Sequence, residues 1–221
     1  MSNSPRIVMD FASLRLQLVD HLRYSIVDQR VLDAMAKVPR EKFVPESREE
    51  DVYTNVPLSI GFGQTISQPL MVAVMTEALV LRGTERVLEV GTGSGYQAAI
   101  LAELSGYVVT VERHPELLDR ATRVLQELGY HNIETHLSQE SIGWKQGSPY
   151  DSIIATAGAP HVPQALLNQL ASEGTLVIPV GSRHDQDLVR IVKRDRRVIR
   201  QELGACRFVP LIGQDAWDEL E

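Results

Sequence analysis

The stretch RVLEVGTGSGY, residues 86–96, predicts the fold, because a short apolar run leads directly into three glycines, Gly91, Gly93 and Gly95. Glycines at this point allow a tight turn between a strand and a helix and close approach of the backbone to a ligand. A second apolar run, YVVTVE, ends at Glu112, 21 residues after Gly91. An acidic residue at this spacing typically binds ribose hydroxyls. The segment therefore predicts a nucleoside-containing ligand at the carboxyl ends of two neighbouring strands.

The residues that follow extend this pattern into an α/β fold. Strands are predicted at 86–90, 107–112, 133–137, 151–156 and 174–180, and helices at about 96–104, 115–128 and 163–170. Such alternation is typical of a doubly wound, mostly parallel, Rossmann-like sheet. Three further strand-like runs, at 186–194, 197–203 and 206–212, have no helices between them. They predict an antiparallel C-terminal edge.

The first third of the chain is predicted to be helical. Leucines recur at helical spacing from Leu14 to Leu22, and Asp28 is placed to cap a second helix. Residues 52–66 are polar and contain glycines, which predicts an irregular segment. Ser67 precedes another helical pattern, in the position of an N-cap.

We expect one domain over residues 1–221, because no linker, repeat or low-complexity tract divides the chain. Within it, residues 1–82 would supply N-terminal helices and a loop for substrate and cofactor. Residues 83–221 would form the Rossmann-like core.

Composition excludes several classes of function. The chain has 22 Lys and Arg against 29 Asp and Glu, a formal net charge of −7. This balance lacks the basic footprint of nucleic-acid-binding proteins. No apolar run approaches the roughly 20 residues of a membrane span, and the N-terminus lacks the apolar core of a signal peptide. We expect a cytoplasmic protein without nucleic-acid or membrane partners. One cysteine and scattered histidines predict no metal site.

The spacing of the glycines favours one class of cofactor. A dinucleotide fingerprint would need glycine at position 96, where the chain has Tyr96. Glu89 precedes the glycines, and a carboxylate there disfavours a pyrophosphate. S-adenosylmethionine has no phosphate and carries a sulfonium and an ammonium group, so two carboxylates at adjacent strand ends suit it better. A nicotinamide dehydrogenase is correspondingly disfavoured.

Two segments together resemble one enzyme family. IGFGQTISQPLMVAVMTE (60–77) and RVLEVGTGSGYQAAILAEL (86–104) are similar to protein-L-isoaspartate O-methyltransferases. The likeness continues in collinear order through VPREKFVP (38–45), PYDSIIATAGAPHVPQALLNQL (149–170), GTLVIPVG (174–181) and RFVPLIG (207–213). The resemblance implies S-adenosylmethionine-dependent methyl esterification of the α-carboxylate of L-isoaspartyl residues in damaged proteins and peptides, which is a repair function. A monomer is expected for an enzyme that approaches large, varied proteins.

The same resemblance implies roles for individual residues. Ser67 corresponds to the active-site serine, where plain helix capping is the competing interpretation. The cofactor would be bound by Gln64, Thr65, Glu89, Gly91, Thr92, Gly93, Ser94, Gly95 and Glu112. The isoaspartyl peptide would be framed by Ile60, Ile66, Ala157, Gly158, Ala159, Val209 and Pro210.

One turn departs from the family pattern. Where the family usually carries Gly-Asp-Gly against the adenine, this chain has Ser138-Gln139-Glu140. Gln139 is expected to reach the adenine edge through its amide, and Glu140 to replace the acid one position later. Two alternatives stay open: a related carboxyl methyltransferase for an Asp in a dedicated peptide, and a catalytically impaired cofactor-binding homologue.

Overall fold

The computed structural model describes residues 9–194 and 197–219. Its helices are α1 Phe11–Leu22, α2 Gln29–Lys37, α3 Pro69–Leu79, α4 Tyr96–Leu104, α5 Pro115–Glu127 and α6 Gln164–Gln169. Its strands are β1 Leu58–Gly61, β2 Gln64–Ile66, β3 Arg86–Val90, β4 Tyr107–Glu112, β5 Ile133–Leu137, β6 Tyr150–Ala155, β7 Leu170–Gly181, β8 Gln186–Arg194 and β9 Arg197–Cys206. Short 3₁₀ turns lie at Arg40–Phe43, Glu46–Asp51 and Lys145–Gly147.

Seven of these strands form one sheet in the order β5-β4-β3-β6-β7-β8-β9. Neighbours from β5 to β7 are parallel, and β8 and β9 add antiparallel pairs at the C-terminal edge. The predicted mostly parallel sheet with an antiparallel edge is confirmed. The strand order changes direction between β3 and β6, and ligands bind at the carboxyl ends of strands at such a switch point.

The prediction of a third closing strand at 206–212 is wrong. Strand β9 already extends to Cys206, and the chain then leaves the sheet. Pro210 has no N–H to donate to a ladder. Instead, the amide of Gly158 donates to the carbonyl of Val209 and the amide of Leu211 donates to the carbonyl of Gly158, both at 2.8 Å. Through this bridge, residues 209–211 lie beside the chain just after the carboxyl end of β6.

The predicted irregular segment at 52–66 contains a hairpin of β1 and β2, so that expectation is wrong in part. Phe62 and Gly63 form its two-residue turn, both with positive φ, 55° and 69°. Two positive φ angles match the twist of the strands in a type I′ turn. The alternating pattern buries Leu58 and Ile60 of β1 and Ile66 of β2.

The prediction that Ser67 caps a helix is also wrong. Gln68 occupies the N-cap of α3 and makes no side-chain capping bond. The amide of Leu70 instead donates to Oδ1 of Asn55, at 3.0 Å, from the preceding loop. Asn55 therefore satisfies the helix end that we assigned to Ser67, which leaves the serine side chain without a capping role. The cap predicted at Asp28 is confirmed, since it accepts from the amide of Arg30 at 2.9 Å.

Helices cover both faces of the sheet. On one side the N-terminal helices and α4 share an apolar cluster with buried members Leu32, Val72 and Tyr96. On the other side α6 packs through Leu166 against sheet residues such as Ile153. The N-terminal helices therefore pack directly against the part of the molecule that carries the glycine loop.

No helix within residues 9–194 and 197–219 is long and apolar enough to cross a membrane. Residues 1–8, on which much of the expectation about a signal peptide rests, lie outside the described residues.

One fully buried cation connects the segment before α3 to the start of α4. The Nε of Arg40 donates to the carbonyl of Val52 at 2.9 Å, and its Nη2 donates to the carbonyl of Ser67 at 2.8 Å. Its guanidinium carbon lies 4.8 Å from the ring centroid of Tyr96. Burial lowers the pKa of Arg40 from its ordinary value, but an arginine remains charged over the accessible pH range. The cation therefore anchors the backbone on which Ser67 is carried.

Replacing this cation should destabilise the protein. In Arg40→Met, the carbonyls of Val52 and Ser67 lose their donors in a dry environment, so the free energy of unfolding should fall by about 2–4 kcal/mol. The matched change Arg48→Met, at an exposed arginine of the neighbouring 3₁₀ turn, should stay within about 0.5 kcal/mol of the parent. Denaturant unfolding measures both, and equal effects of the two changes would contradict the anchoring role.

Candidate active site

The turn between β3 and α4 depends on glycine at Gly91 and Gly95. Gly91 has a φ of 102°, and a Cβ there would lie 2.3 Å from Oγ1 of Thr156. That hydroxyl donates to the carbonyl of Gly91 at 2.6 Å, which ties the turn to the end of β6. Gly95 has a φ of 89° and a Cβ there would lie 3.2 Å from Ala121 of α5. Both positions are therefore closed to larger residues.

Four of the five amides from Gly91 to Gly95 are already hydrogen-bonded within the protein, the exception among them being Ser94. Gly93 donates to Oε2 of Glu112 at 2.8 Å. Gly91 and Thr92 donate to the carbonyl of Val111, and Gly95 donates to the carbonyl of Thr92. A phosphate-binding turn presents free amides to its ligand. This turn instead presents a carboxylate, so it suits a ligand without a phosphate.

Glu112 lies at the end of β4 with only 5% of its surface exposed. Besides the amide of Gly93, its carboxylate accepts from the amides of Arg113 at 2.8 Å and His114 at 3.0 Å. These bonds fix the carboxylate at the rim of the cleft, where hydroxyl groups of a sugar could donate to it.

Glu89 takes a different place from the one we expected. It is fully buried below the glycine turn and is not among the residues that line the cleft. Its Oε2 accepts from Oγ1 of Thr110 at 2.5 Å, and Thr110 pairs with Thr92 at 2.6 Å between hydroxyls. Burial raises the pKa of Glu89 to about 8, against the opposing hydrogen bond from Thr110. The side chain therefore supports the turn from beneath.

A cleft of about 950 Å³, part of it open to solvent, lies above the carboxyl ends of β3, β4 and β6. Thirteen of the predicted site residues line it: Gln64, Thr65, Ile66, Ser67, Gly91, Thr92, Gly93, Ser94, Glu112, Gln139, Ala157, Val209 and Pro210. Six predicted residues do not: Ile60, Glu89, Gly95, Glu140, Gly158 and Ala159. We refer to this space below as the first cleft.

Sequence reasoning missed a further set of lining residues, most of them apolar: Val72, Val90, Tyr96, Gln97, Val111, Arg113, Ser141, Ile142, Gly143, Thr156, Leu211 and Ile212. Val90 and Val111 are the last or next-to-last residues of β3 and β4. Their positions at strand ends could have identified them, since such ends meet at one edge of a parallel sheet.

A second cleft opens beside the first. It encloses about 1440 Å³, including space open to solvent, between the hairpin of β1 and β2, α3 and residues 205–210. Thr65, Ser67, Thr156, Val209 and Pro210 line both clefts. Ser67 therefore stands where the two spaces meet. Within the described residues, no group of three or more His, Cys, Asp and Glu side chains is arranged to hold a metal ion.

The unusual turn after β5 keeps its attachment to β4. The amide of Ser138 donates to the carbonyl of Glu112 at 2.7 Å. Gln139 lines the first cleft, and its Oε1 accepts from Nε2 of Gln146 at 3.2 Å. Glu140 is exposed and lies outside the lining. Gln139, expected to reach the adenine edge, therefore lines the cleft, whereas Glu140, expected to replace the family's acid, does not.

Known proteins resemble this chain over most of its length. The family model for protein-L-isoaspartate(D-aspartate) O-methyltransferase matches residues 14–216. A protein-L-isoaspartate O-methyltransferase of Methanoculleus marisnigri is 54% identical, over 87% of this chain and 87% of its own. One of Syntrophus aciditrophicus is 48% identical, over 94% of this chain and 97% of its own.

Solved structures agree with this likeness. A protein-L-isoaspartate O-methyltransferase superposes with a TM-score of 0.83 at 29% identity, covering 91% of this chain and 67% of its own. A β-aspartate methyltransferase from Plasmodium falciparum, in complex with S-adenosyl-L-homocysteine, superposes with a TM-score of 0.77 at 27% identity, covering 88% and 96%. The chain belongs to the protein-L-isoaspartate(D-aspartate) O-methyltransferase family.

Proposed function

We propose that the chain transfers a methyl group from S-adenosylmethionine to the α-carboxylate of L-isoaspartyl residues in damaged proteins and peptides. The observation that carries this function is the position of Ser67 at the junction of two clefts, one above the glycine turn and one open to a peptide. The names of the relatives support the same reaction.

The first cleft fits S-adenosylmethionine. Glu112 offers a fixed carboxylate for ribose hydroxyls, and Val111 and Ile142 offer apolar surface for an adenine. Because four of the five amides of the turn are occupied, the turn is poorly suited to a phosphate, a group that this cofactor lacks. The Plasmodium relative was crystallised with the demethylated cofactor. When bound, the cofactor supplies a methyl group on a positively charged sulfur.

The acceptor needs no general base. An α-carboxylate has an ordinary pKa of about 3.3–3.7, so it reaches the site already ionised. The work of the protein is then orientation, which can lower a barrier by several kcal/mol. Ser67 can donate its hydroxyl to one carboxylate oxygen and hold the other in line, and Thr65 lines the same junction. The buried cation of Arg40 positions the Ser67 backbone from behind.

Five of the seven residues expected to bind substrate fall into two groups. Ala157, Val209 and Pro210 line a cleft and are proposed to contact the peptide. The amide of Gly158 donates to Val209 and its carbonyl accepts from Leu211, so we propose that Gly158 shapes the cleft wall and does not contact the peptide. Ile60 has its carbonyl held by Arg120 at 2.6 Å and is proposed to support the hairpin.

We propose further that residues 1–221 act as one folding unit, because the apolar cluster of the N-terminal helices includes Tyr96 and Leu117 of the core. Monomeric assembly and a cytoplasmic location remain predictions.

The direct test is a methyl-transfer assay with paired peptides that differ only in L-isoaspartate or L-aspartate. Transfer to the L-isoaspartyl peptide alone is the expected result. Transfer to the L-aspartyl peptide alone would favour a methyltransferase with a dedicated peptide. No transfer to either, with cofactor binding intact, would favour the binding homologue suggested by the altered 138–140 turn.

Ser67→Ala should reduce kcat for the isoaspartyl peptide by about 10- to 100-fold, since a hydrogen bond to a charged group contributes about 1.5–3 kcal/mol. The dissociation constant of S-adenosylhomocysteine should change little, because its proposed contacts lie on the glycine turn, Glu112 and Gln139 and do not include the Ser67 hydroxyl. Ser25→Ala, at an exposed serine of the loop after α1, is the matched control and should leave kcat unchanged. An unaltered kcat in Ser67→Ala would exclude the proposed role.

Gln139→Ala should weaken binding of S-adenosylhomocysteine about 2- to 10-fold, the loss of one hydrogen bond. Glu140→Ala should change it by less than about twofold, because Glu140 is exposed and outside the cleft. Calorimetric titration of the two variants side by side checks this, and a larger loss in Glu140→Ala would show that the acid takes part in binding.

A further inference from the structure

We infer that the second cleft selects isoaspartyl peptides with acidic residues beside the damaged position. This inference rests on the proposed function and concerns the flanking residues, which the reaction itself does not constrain. The relevant surface, called the basic rim below, consists of Arg183, His184 and Arg207, all of which line the second cleft. Of the described residues that line this cleft, none is an aspartate or glutamate. The positive charge of the rim is therefore opposite in sign to the net charge of the chain, which is −7.

A single buried side chain holds the two parts of the basic rim together. Gln186 is 4% exposed, and its Nε2 donates to the carbonyls of Ser182 at 3.0 Å and Phe208 at 3.2 Å. Its Oε1 accepts from the amide of Phe208 at 2.8 Å. Ser182 precedes Arg183 and His184, and Phe208 follows Arg207. The β7–β8 turn and the segment after β9 are thus fixed relative to each other.

The turn that carries Arg183 and His184 is itself ordered. Oγ of Ser182 accepts from the amides of His184 at 3.2 Å and Asp185 at 2.9 Å. Arg183 donates to the carbonyl of Asp218 at 2.8 Å, and its guanidinium carbon lies 4.9 Å from the ring centroid of Trp217. A rim fixed before binding loses little conformational entropy when a peptide docks.

Acidic side chains near the basic rim moderate its charge. Burial raises the pKa of Cys206 in the cleft wall to about 11, and the negative charge of Asp187, an exposed residue of β8, adds a smaller contribution in the same direction. Asp187 does not line the second cleft, but it pairs across the sheet with Ala205, which does. Removing the negative charge of Asp187 should strengthen the attraction of the cleft for an anionic peptide. Removing an arginine of the basic rim should weaken that attraction.

The acidic residues that flank the isoaspartate are placed to meet the basic rim. The isoaspartyl carboxylate is proposed to lie at Ser67, which lines both clefts, and the rest of the peptide must leave through the open second cleft. Successive residues of an extended peptide advance about 3.3 Å. Side chains a few residues from the isoaspartate therefore pass the rim, where carboxylates are attracted and ammonium groups repelled.

The test compares three isoaspartyl peptides of equal length whose flanking residues are Glu, Gln or Lys. KM should be about two- to fivefold lower for the Glu peptide than for the Gln peptide, the size of one or two exposed ion pairs. It should be higher for the Lys peptide. The differences should shrink between about 0.01 M and about 0.15 M salt, as the screening length falls from about 30 Å to about 8 Å.

Three variants separate the basic rim from the charge of the whole chain. Arg207→Gln should narrow the KM difference between the Glu and Gln peptides, and Asp187→Asn should widen it. Arg200→Gln removes an equal charge from the exposed strand β9 outside the cleft and should leave the difference unchanged.

Equal KM values for the Glu and Gln peptides, or the same narrowing in Arg200→Gln as in Arg207→Gln, would overturn this inference and leave the proposed function intact. Absence of transfer to all three isoaspartyl peptides would overturn both.

Discussion

The hydrogen bonds from the buried guanidinium of Arg40 are the interaction on which the arrangement of the site depends. They join the carbonyl of Ser67 to that of Val52, while the cation lies over the ring of Tyr96 at the start of α4. The glycine turn ends at that same residue. One cation thus links the start of α4, next to the proposed cofactor turn, to the segment that carries Ser67, the residue proposed to orient the acceptor.

The link made by Arg40 fits a reaction that needs no general base and depends on how its reactants are positioned. The acceptor carboxylate is ionised before it binds, so the contribution that we propose for the protein is orientation. The parallel strands bring Gly91, Glu112 and Thr156 to one edge of the sheet, and the bridge between Gly158 and residues 209–211 closes the opposite wall. Glu89 supports the turn from below, and its charged form is disfavoured by burial.

The sequence predicted the sheet well and the segments around the site less well. Strands β3 and β4 match their predicted ranges because buried parallel strands are apolar runs bounded by turns. The edge strand β5 also matches, although it is only half-buried and mixes polar with apolar residues. The cap of α3 comes from Asn55, 15 residues before the amide it accepts from, a contact that local patterns do not contain. The hairpin turn places Phe62 at positive φ, which its residue type does not indicate.

The predicted site residues divide in the same way. Four residues of the glycine turn, Gly91 to Ser94, and the four residues from Gln64 to Ser67 line the first cleft because the local backbone directs them there. Glu89 and Glu140 do not line the first cleft. Glu89 is buried beneath the glycine turn and Glu140 is exposed to solvent, and both placements depend on how neighbouring segments pack. The second cleft was not predicted at all, because its walls come from parts of the chain more than 100 residues apart, Pro57 and Phe208 among them.

The most direct measurement is a crystal structure with S-adenosylhomocysteine and an L-isoaspartyl peptide bound together. The α-carboxylate should lie at the junction of the two clefts, with one oxygen within hydrogen-bond distance of Oγ of Ser67. The cofactor should lie above the glycine turn with its ribose at Glu112. A carboxylate bound away from Ser67, or a cofactor bound outside the first cleft, would contradict the assignment of the two clefts.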